Sequence, residues 1–365
     1  MAYREGQGLT DVKSPIRPER DWSGFLSLSL EGLTLVGNFF PALVAFRVKR
    51  RSERTVTDYL IGALSINDMM AVLLPLPVSL PAFIDPEGND DWKGGKASCV
   101  FYQFCIFWLQ TAAMLLVTEM AFERYLALAI PLRYKSWRTH RRALGMIGFV
   151  YSFTFVVSLM PVAGLAPPAV SKNGGQVCRS WIATQPEKWH QTIFPIFLII
   201  QGWTTMVIVL MLNVNLVCRI RSYSKRMVGI DRNNEDERKS IREFTKLVVV
   251  IAILFYLTWL PVMIVLTLTQ FGYRVPELFA VYALMSTILN GLFNPIVYCA
   301  LSKQYRDGYL VIASGFIKGC CLYIHCAVFL FTTPKSNQNH KIIEDGESNT
   351  ATGHVLDLPL RETRL

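Results

Sequence analysis

Two polar clusters interrupt long apolar stretches of this chain, and their residue types indicate a conformational switch. Glu123-Arg124-Tyr125 lies at the end of one stretch, and Asn294-Pro295 followed by Tyr298 lies at the end of another. A charged triplet is costly at the edge of a bilayer, and a proline after an asparagine interrupts an apolar helix. We expect a membrane protein that carries both clusters to change conformation at its cytoplasmic face.

Bond-breaking chemistry is not indicated. The five histidines are scattered, and no nucleophile–base set or metal-ligand spacing is evident in the 365 residues. A catalytic nucleophile needs an adjacent base, and a metal site needs clustered ligands. We therefore predict that the protein is not an enzyme and carries no metal and no cofactor.

Seven apolar stretches position the two clusters. The chain is 52% hydrophobic and only 18% charged, whereas soluble domains contain about 25% charged residues. A membrane-spanning helix needs about 20 apolar residues. The predicted spans one to seven are residues 24–46, 57–84, 98–130, 143–166, 191–218, 245–269 and 276–301. We expect an all-α membrane protein, a seven-transmembrane helix bundle.

The net charge of +10 is distributed over alternate connections between the spans. Lys and Arg concentrate in the first, third and fifth connections, whereas the second contains Asp85, Glu87, Asp90 and Asp91. An excess of Lys and Arg in short connections marks the cytoplasmic side. This predicts a multi-pass protein of the plasma membrane with its N-terminus outside and its C-terminus inside. Because the positive residues form no single patch, we do not expect a nucleic acid as a partner. We expect membrane lipids as partners.

The cysteines fall on both sides of the membrane in this topology. Cys99, at the start of span three, and Cys178, between spans four and five, face the oxidising compartment, which predicts a disulfide. Cys320 and Cys321 follow span seven on the inner side, where they are candidates for reversible palmitoylation. An unmodified thiol is the alternative for these two residues.

Polar residues also occur inside the spans. An ionised carboxylate is expensive in lipid, so Asp68 of span two must face the bundle interior. The available partners, all asparagines of spans one and seven, are Asn38, Asn290 and Asn294. Pro261 of span six and Pro295 of span seven break backbone hydrogen bonds and leave kinks that can act as hinges.

The layout resembles a rhodopsin-like (class A) G-protein-coupled receptor from about residue 24 to 315. The matching motifs are Gly37-Asn38, Asp68, Cys99 with Cys178, Glu123-Arg124-Tyr125, Trp259-x-Pro261 and Asn294-Pro295-x-x-Tyr298. The resemblance implies that a carboxylate holds Arg124 at rest and that its release lets a heterotrimeric G protein bind. It also implies that Trp259 responds to the ligand and that Tyr298 swings inward on activation.

The same resemblance implies a sodium site at Asp68. The family's usual serine in span three corresponds to Ala113 in this chain, which removes one oxygen ligand. A second departure is Glu119, an additional acid one turn before Glu123.

The default ligand site of such a bundle lies between the outer halves of the spans. The residues that we expect around it are Ile106, Phe107, Gln110 and Met285, with Arg179 and Trp181 at the rim. Receptors for biogenic amines hold the ammonium with an aspartate in span three, and Ile106 occupies that position here. The apolar and aromatic wall around Ile106 favours a lipid-like ligand.

Within the family the chain is similar to the prostanoid receptors. The segments that resemble them are Asp91-Trp92-Lys93-Gly94-Gly95, Leu74-Pro75-Leu76-Pro77-Val78 and Val150-Tyr151. The chain departs from those receptors at two positions. Met285 replaces the arginine that pairs with the ligand carboxylate, and Asn294-Pro295 replaces Asp-Pro. We expect a receptor for an extracellular, lipid-like, prostanoid-related ligand. The alternatives are a receptor for a non-prostanoid ligand such as a peptide, and a polytopic membrane transporter.

Four segments follow from these assignments. They are an extracellular tail over 1–23, the receptor domain over 24–301, a membrane-associated juxtamembrane helix over 302–331, which begins as a short amphipathic helix, and a disordered cytoplasmic tail over 332–365. Residues 309–331 are apolar enough for an eighth crossing as the alternative. The ending Glu362-Thr363-Arg364-Leu365 matches peptides that add as an edge strand to a PDZ domain.

Overall fold

Each predicted span contains helix, because a bilayer core offers no water and a helix satisfies its own backbone groups. The computed structural model describes residues 19–49, 54–84, 95–130, 133–134, 139–167, 178, 186–227 and 235–315. Within these residues the principal helices are Glu19–Leu43, Val56–Leu73, Leu76–Ile84, Gly95–Ala129, His140–Ser158, Ile193–Met227, Glu235–Gln270 and Glu277–Leu301, followed by a helix over 303–315. The predicted all-α seven-helix architecture is confirmed, and in the described part six spans are long and apolar enough to cross a membrane.

Span four differs from the other spans and is shorter than predicted. Its helix is His140–Ser158 rather than 143–166. The hydroxyl of Thr139 caps its start by accepting a hydrogen bond from the backbone N–H of Arg142 at 3.4 Å. After Ser158 the chain turns and reaches Gly164, whose φ of +83° favours glycine. The basic first turn lowers the hydropathy of this helix, which is not among the six.

Span two is two helices rather than the single stretch 57–84. Pro75 has no N–H with which to continue the helical ladder, so the first helix ends at Leu73 and the second begins at Leu76. The start of the span is fixed by a capping box, in which Thr55 and Asp58 each accept a hydrogen bond from the other's backbone N–H.

Span five is longer than predicted at its C-terminal end, and span six is longer than predicted at its N-terminal end. Span five runs to Met227 rather than 218, and span six begins at Glu235 rather than 245. The added turns contain Arg, Lys and Glu residues, so both helices continue past their apolar stretches. The fifth connection is therefore helical over much of its length.

The buried core consists of two clusters at opposite ends of the bundle. One includes Leu60, Leu116 and Phe255 and lies toward Arg124. The other includes Phe107 and Phe194 and lies toward the Cys99–Cys178 disulfide. We call these the Arg124 end and the disulfide end.

Large apolar side chains also cover the outside of the bundle. Phe149, Ile200 and Leu257 are each more than 60% exposed. Apolar patches of this kind are rare on monomeric soluble proteins. They are the surface expected of helices that face lipid tails.

The helix over 303–315 packs against the end of span one. A Cβ at Gly308 would lie only 2.7 Å from Cγ2 of Val44. The Val44 side chain therefore packs directly against the backbone of the helix over 303–315. Val44 begins a wider, π-helical turn, Val44–Val48, that ends span one. The predicted amphipathic helix after span seven is thus present. The rest of that predicted segment, with Cys320 and Cys321, and the predicted tails before residue 19 and after residue 331 lie outside the described residues.

Candidate functional site

The Glu123 carboxylate is the centre of the Arg124 end. Its Oε2 lies 3.1 Å from Nε of Arg124 and accepts a hydrogen bond from Thr57 of span two at 3.2 Å. Its Oε1 accepts a hydrogen bond from the phenol of Tyr134. The Glu123 side chain is only 4% exposed, and three donors hold it. Charge-assisted contacts of this kind are strong when they are shielded from water.

Arg124 also lines a cavity at this end, whose empty space is about 390 Å³ including the part that opens to solvent. The cavity lies between spans two, three, five and six, and its wall includes Val117, Asn213, Ile251 and Ala252. Arg124 therefore bonds to the acid beside it and borders open space at the same time. Breaking the bond would free the guanidinium to bind a group that enters the cavity.

Tyr125, the third residue of the predicted triplet, contacts span five. Its hydroxyl accepts a hydrogen bond from Arg219 at 3.4 Å, and the Arg219 guanidinium lies over the ring at 5.3 Å from the centroid. The triplet therefore does not act as one unit. Glu123 bonds to span two, and Tyr125 bonds to span five.

A second buried ion pair at this end was not predicted. Lys49 pairs with Asp58, and their side chains are 7% and 4% exposed. The phenol of Tyr305 donates to the same carboxylate oxygen at 3.2 Å, and the Lys49 ammonium lies 5.3 Å from the Tyr305 ring centroid. Burial, and next the Asp58 carboxylate, raise the pKa of Tyr305 well above its ordinary value. The phenol therefore stays protonated and keeps donating.

The sequence contained one signal for this pair. Thr55 followed three residues later by Asp58 is a capping-box pattern in front of an apolar run, which explains one oxygen of Asp58. The partners Lys49 and Tyr305 come from separate parts of the chain, and only the packed bundle brings them together.

The predicted polar network around Asp68 is present in part. Asn294 donates to Oδ2 of Asp68 at 3.1 Å. Asn38 instead donates to the carbonyl of Gly291 at 2.9 Å, and Asn290 accepts from the Thr258 hydroxyl at 3.5 Å. Of the three asparagines named as available partners, Asn294 bonds to Asp68, and Asn38 and Asn290 bond elsewhere. These two residues join span seven to spans one and six.

The donor set at Asp68 does not fit the sodium site that the resemblance implies. Ala113 is buried and offers a methyl group where a hydroxyl oxygen was expected. Asn294 uses its amide N–H₂ on the carboxylate, which is a contact to an anion rather than an additional oxygen for a cation. No step below depends on a sodium ion.

The disulfide end contains a larger cavity, whose empty space is about 610 Å³ including the part that opens to solvent. Its wall comes from spans three, five, six and seven and consists of Ile106, Phe107, Gln110, Thr111, Met114, Leu198, Gln201, Gly202, Trp259, Val262, Met263, Leu266, Leu284 and Thr287. Three of the residues predicted for the ligand pocket, Ile106, Phe107 and Gln110, lie in this wall.

Met285 is not in the wall, although it was predicted there. Its sulfur accepts a contact from the Ser27 hydroxyl of span one at 3.6 Å. Helical geometry turns neighbouring residues about 100° apart, so Leu284 lines the cavity while Met285 faces span one. The other predicted rim residues, Arg179 and Trp181, lie outside the described residues.

The cavity wall contains no charged side chain among the residues described. Its two threonine hydroxyls bond to their own helices, Thr111 to the carbonyl of Phe107 at 2.6 Å and Thr287 to that of Leu284 at 2.8 Å. Gln201 is different, because both its amide nitrogen and its amide oxygen are buried without a hydrogen-bond partner. The sequence analysis missed Gln201, although a glutamine inside a predicted span is a signal of the kind used for Asp68.

Glu31 is a second polar residue that the sequence analysis missed. It belongs to a stripe on one face of span one that consists of Ser27, Glu31, Thr34 and Asn38. The contacts of Ser27 with Met285 and of Asn38 with Gly291 turn this face toward span seven. An acid inside an apolar span was its signal.

The predicted disulfide is confirmed. Cys99 and Cys178 are bonded, and their Cα atoms lie 5.5 Å apart. The bond ties the connection between spans four and five to the start of span three, beside the Gln103 amide at 3.8 Å from the Cys178 sulfur. It therefore fixes that connection at the same end of the bundle as the 610 Å³ cavity.

The chain is similar to known proteins. Galanin receptor type 2 of Mus musculus is 27% identical over 291 residues, which cover 78% of this chain and 74% of that receptor. Neuromedin-U receptor 2 of Rattus norvegicus is 25% identical over 303 residues, which cover 78% of this chain and 73% of that receptor. The crystal structure of squid rhodopsin has the same fold, with a TM-score of 0.66 and 20% identity across 84% of this chain and 91% of that one.

These relatives give no support to the predicted prostanoid subfamily, whereas the wider family is clear. Residues 37–298 match the family model of the 7 transmembrane receptor (rhodopsin family). Members of this family are signalling receptors, which agrees with the prediction that the protein is not an enzyme. The chain belongs to the rhodopsin family of seven-transmembrane receptors, and is a multi-pass membrane protein.

Proposed function

We propose that the protein is a cell-surface receptor that binds an extracellular peptide at the disulfide end and activates a heterotrimeric G protein at the Arg124 end. The observation that carries the proposal is the pair of cavities, one at each end, with span six in the wall of both. A transporter would instead need a continuous path or a repeat around a site in the middle of the membrane.

Side chains on one face of span six connect the two cavities. Trp259 lines the cavity at the disulfide end. Its ring lies 6.3 Å from that of Phe255, one turn farther along, and the next turn supplies Ala252 and Ile251 to the Arg124 cavity. A ligand that displaces Trp259 pushes on Phe255, and Pro261 weakens the helix where the motion begins.

At the Arg124 end the proposed result is the release of Arg124 from Glu123. Outward movement of Ile251 and Ala252 enlarges the 390 Å³ cavity. The freed guanidinium and the inward-moving Tyr298 then form the surface that receives the G protein. In the structure Tyr298 is fully buried and its ring lies tilted against that of Tyr305, with ring centroids 5.7 Å apart. This is the resting position in the proposed scheme.

Two observations favour a peptide over a prostanoid as the ligand. The two relatives named above are called galanin and neuromedin-U receptors. In addition, the described part of the wall offers no cation to a buried carboxylate, whose burial without a partner is expensive. Arg179, predicted at the rim, lies outside the described residues and stays a candidate there.

The proposal places the disulfide end outside the cell and the C-terminus inside, as the positive charge of the connections predicts. In this orientation Cys320 and Cys321 would anchor the chain by palmitoylation, and the last four residues would bind a PDZ domain. Both remain proposals for the segment after residue 315.

Nucleotide exchange on G proteins tests the proposal. Membranes that contain the full chain would be offered galanin, neuromedin U and a library of secreted peptides, and binding of a labelled GTP analogue would be measured. We expect at least one peptide to stimulate exchange in the native chain and not in Arg124→Ala at equal surface expression. Peptide-independent solute flux into vesicles, with no exchange on any G protein class, would instead support the transporter.

A further inference from the structure

We propose that Gln201 forms an amide-recognition subsite, at which the ligand inserts one uncharged amide group into the cavity at the disulfide end. This inference rests on the proposed function, since it names the chemical group that a peptide ligand would bury there. The residues that carry it are Gln201 and its neighbours in the wall.

Gln201 is the residue of the described wall whose side chain has two unpaired polar atoms. Both Nε2 and Oε1 are shielded from water and make no hydrogen bond. Leaving one buried polar atom unpaired is costly, and Gln201 does so twice. In native proteins such atoms are rare and mark a site that is completed by something else.

The surroundings keep Gln201 available. The nearby hydroxyls of Thr111 and Thr287 already bond to backbone carbonyls of their own helices. The next residue, Gly202, is covered by Met263, whose sulfur would lie 2.5 Å from a Cβ at that position. Met263 is apolar and offers Gln201 no strong partner.

The two unpaired atoms define the complementary group. One is a donor and the other an acceptor, and they are held together in one planar amide. A primary amide pairs with both atoms at once, because one of its N–H groups and its C=O lie on the same side of the amide plane, whereas those of a trans peptide bond point in opposite directions. An ester or ketone supplies only an acceptor, so it leaves Oε1 unpaired.

Charged groups fit poorly for a separate reason. The described wall contains no cation for a carboxylate and no anion for an ammonium group. A buried ion without a counter-ion is strongly disfavoured. Trp259 adds a further neutral donor, because its indole N–H is buried and unpaired as well. The cavity therefore selects for a neutral polar group on an apolar body.

Three small molecules of matched shape test the subsite without knowledge of the natural ligand. They are 3-phenylpropanamide, methyl 3-phenylpropanoate and 3-phenylpropanoate, offered to the full chain in lipid nanodiscs, with binding measured by thermal shift. We expect the amide to bind about tenfold more tightly than the ester, because only the amide pairs both atoms of Gln201. The carboxylate should give no shift.

Two variants then locate the effect. Gln201→Leu removes both polar atoms at similar volume and should reduce the preference for the amide over the ester to less than about twofold. Asn215→Leu removes an amide from the same span, where the side chain is exposed and bonds to the carbonyl of Met211. This control should keep the tenfold preference.

Equal binding of amide and ester to the native chain, or binding of none of the three molecules, overturns the inference even if Gln201→Leu cannot be purified. A preference that survives in Gln201→Leu also overturns it. Peptide-stimulated nucleotide exchange is measured independently. If the native chain shows such exchange but no preference for the amide, only the Gln201 inference is overturned. An amide preference without exchange removes only the proposed signalling function.

Discussion

The phenol of Tyr305 donates a hydrogen bond to the carboxylate of Asp58 across 3.2 Å. The bond joins the helix over 303–315 to the start of span two, and Asp58 is at the same time paired with Lys49. The Tyr305 ring also packs against the ring of Tyr298. One buried carboxylate thus connects the first connection, span two and the segment that follows span seven.

Removing one partner of the Lys49–Asp58 pair should destabilise the protein. Asp58→Ala leaves the Lys49 ammonium buried without its counter-ion, which costs about 3–5 kcal/mol. We expect a clear fall in the melting temperature of the purified receptor. Tyr305→Phe keeps the ring and loses one hydrogen bond, so its cost should be about 1 kcal/mol.

A double variant distinguishes pairing from packing. Lys49→Met together with Asp58→Leu replaces the ion pair by apolar groups of similar size, which is often neutral for stability. Recovery of most of the lost melting temperature would support this explanation. A double variant as unstable as Asp58→Ala would contradict it.

Weakening the hold on Arg124 should raise activity without ligand. Glu123→Gln keeps the shape of the side chain and removes its charge, so the resting state loses about 1 kcal/mol of electrostatic attraction. We expect basal nucleotide exchange to rise about fivefold. Basal exchange at or below the native level, in a variant that reaches the surface normally, would refute the resting role of this ion pair.

Breaking the disulfide should affect the outer cavity more than the bundle. A disulfide of this kind contributes about 2–4 kcal/mol, mainly by restricting the unfolded chain. Cys99→Ser with Cys178→Ser should lower the melting temperature and weaken peptide-stimulated exchange. Cys218→Ser, at an exposed free cysteine, is the matched control and should change neither quantity.

Prostaglandins should not bind specifically. Met285, at the position of the prostanoid-binding arginine, contacts Ser27 of span one and does not line the cavity. We expect no saturable binding of radiolabelled prostaglandins to the native chain, nor to Met285→Arg. Saturable binding to the native chain would restore the lipid-ligand interpretation and disfavour the peptide.

Sodium should have little effect on the receptor. Because Ala113 supplies no oxygen near Asp68, replacing sodium chloride by N-methyl-D-glucamine chloride should change peptide affinity less than about twofold. Ala113→Ser adds the missing hydroxyl and should make affinity sensitive to sodium. A strong sodium effect in the native chain would mean that other oxygens complete the site.

Composition and motif order were sufficient to predict the fold, because a bilayer forces apolar stretches into helices. The ends of helices were less predictable. Span four stops at Ser158 and span two breaks at Pro75, since local turns and a missing N–H decide those points. Spans five and six continue past their apolar residues, because charged side chains are costly inside the membrane but not in a helix that extends outside it.

Motifs predicted single residues of the site better than their partners. Cys99 and Cys178 were paired correctly because both positions follow from the topology. Asp58, Lys49 and Tyr305 lie in three separate segments, and no spacing in the sequence relates them. Met285 and Leu284 are neighbours in sequence, and only the rotation of span seven decides which of them faces the cavity.

Met263 fills the space beside Gly202 with an unbranched, rotatable thioether. An aromatic or β-branched neighbour would give this side of the cavity a fixed outline, whereas a thioether can fold away at small cost. The boundary between spans five and six is thus compliant. Agonists that differ by a methyl group at this point should therefore be accepted with similar potency.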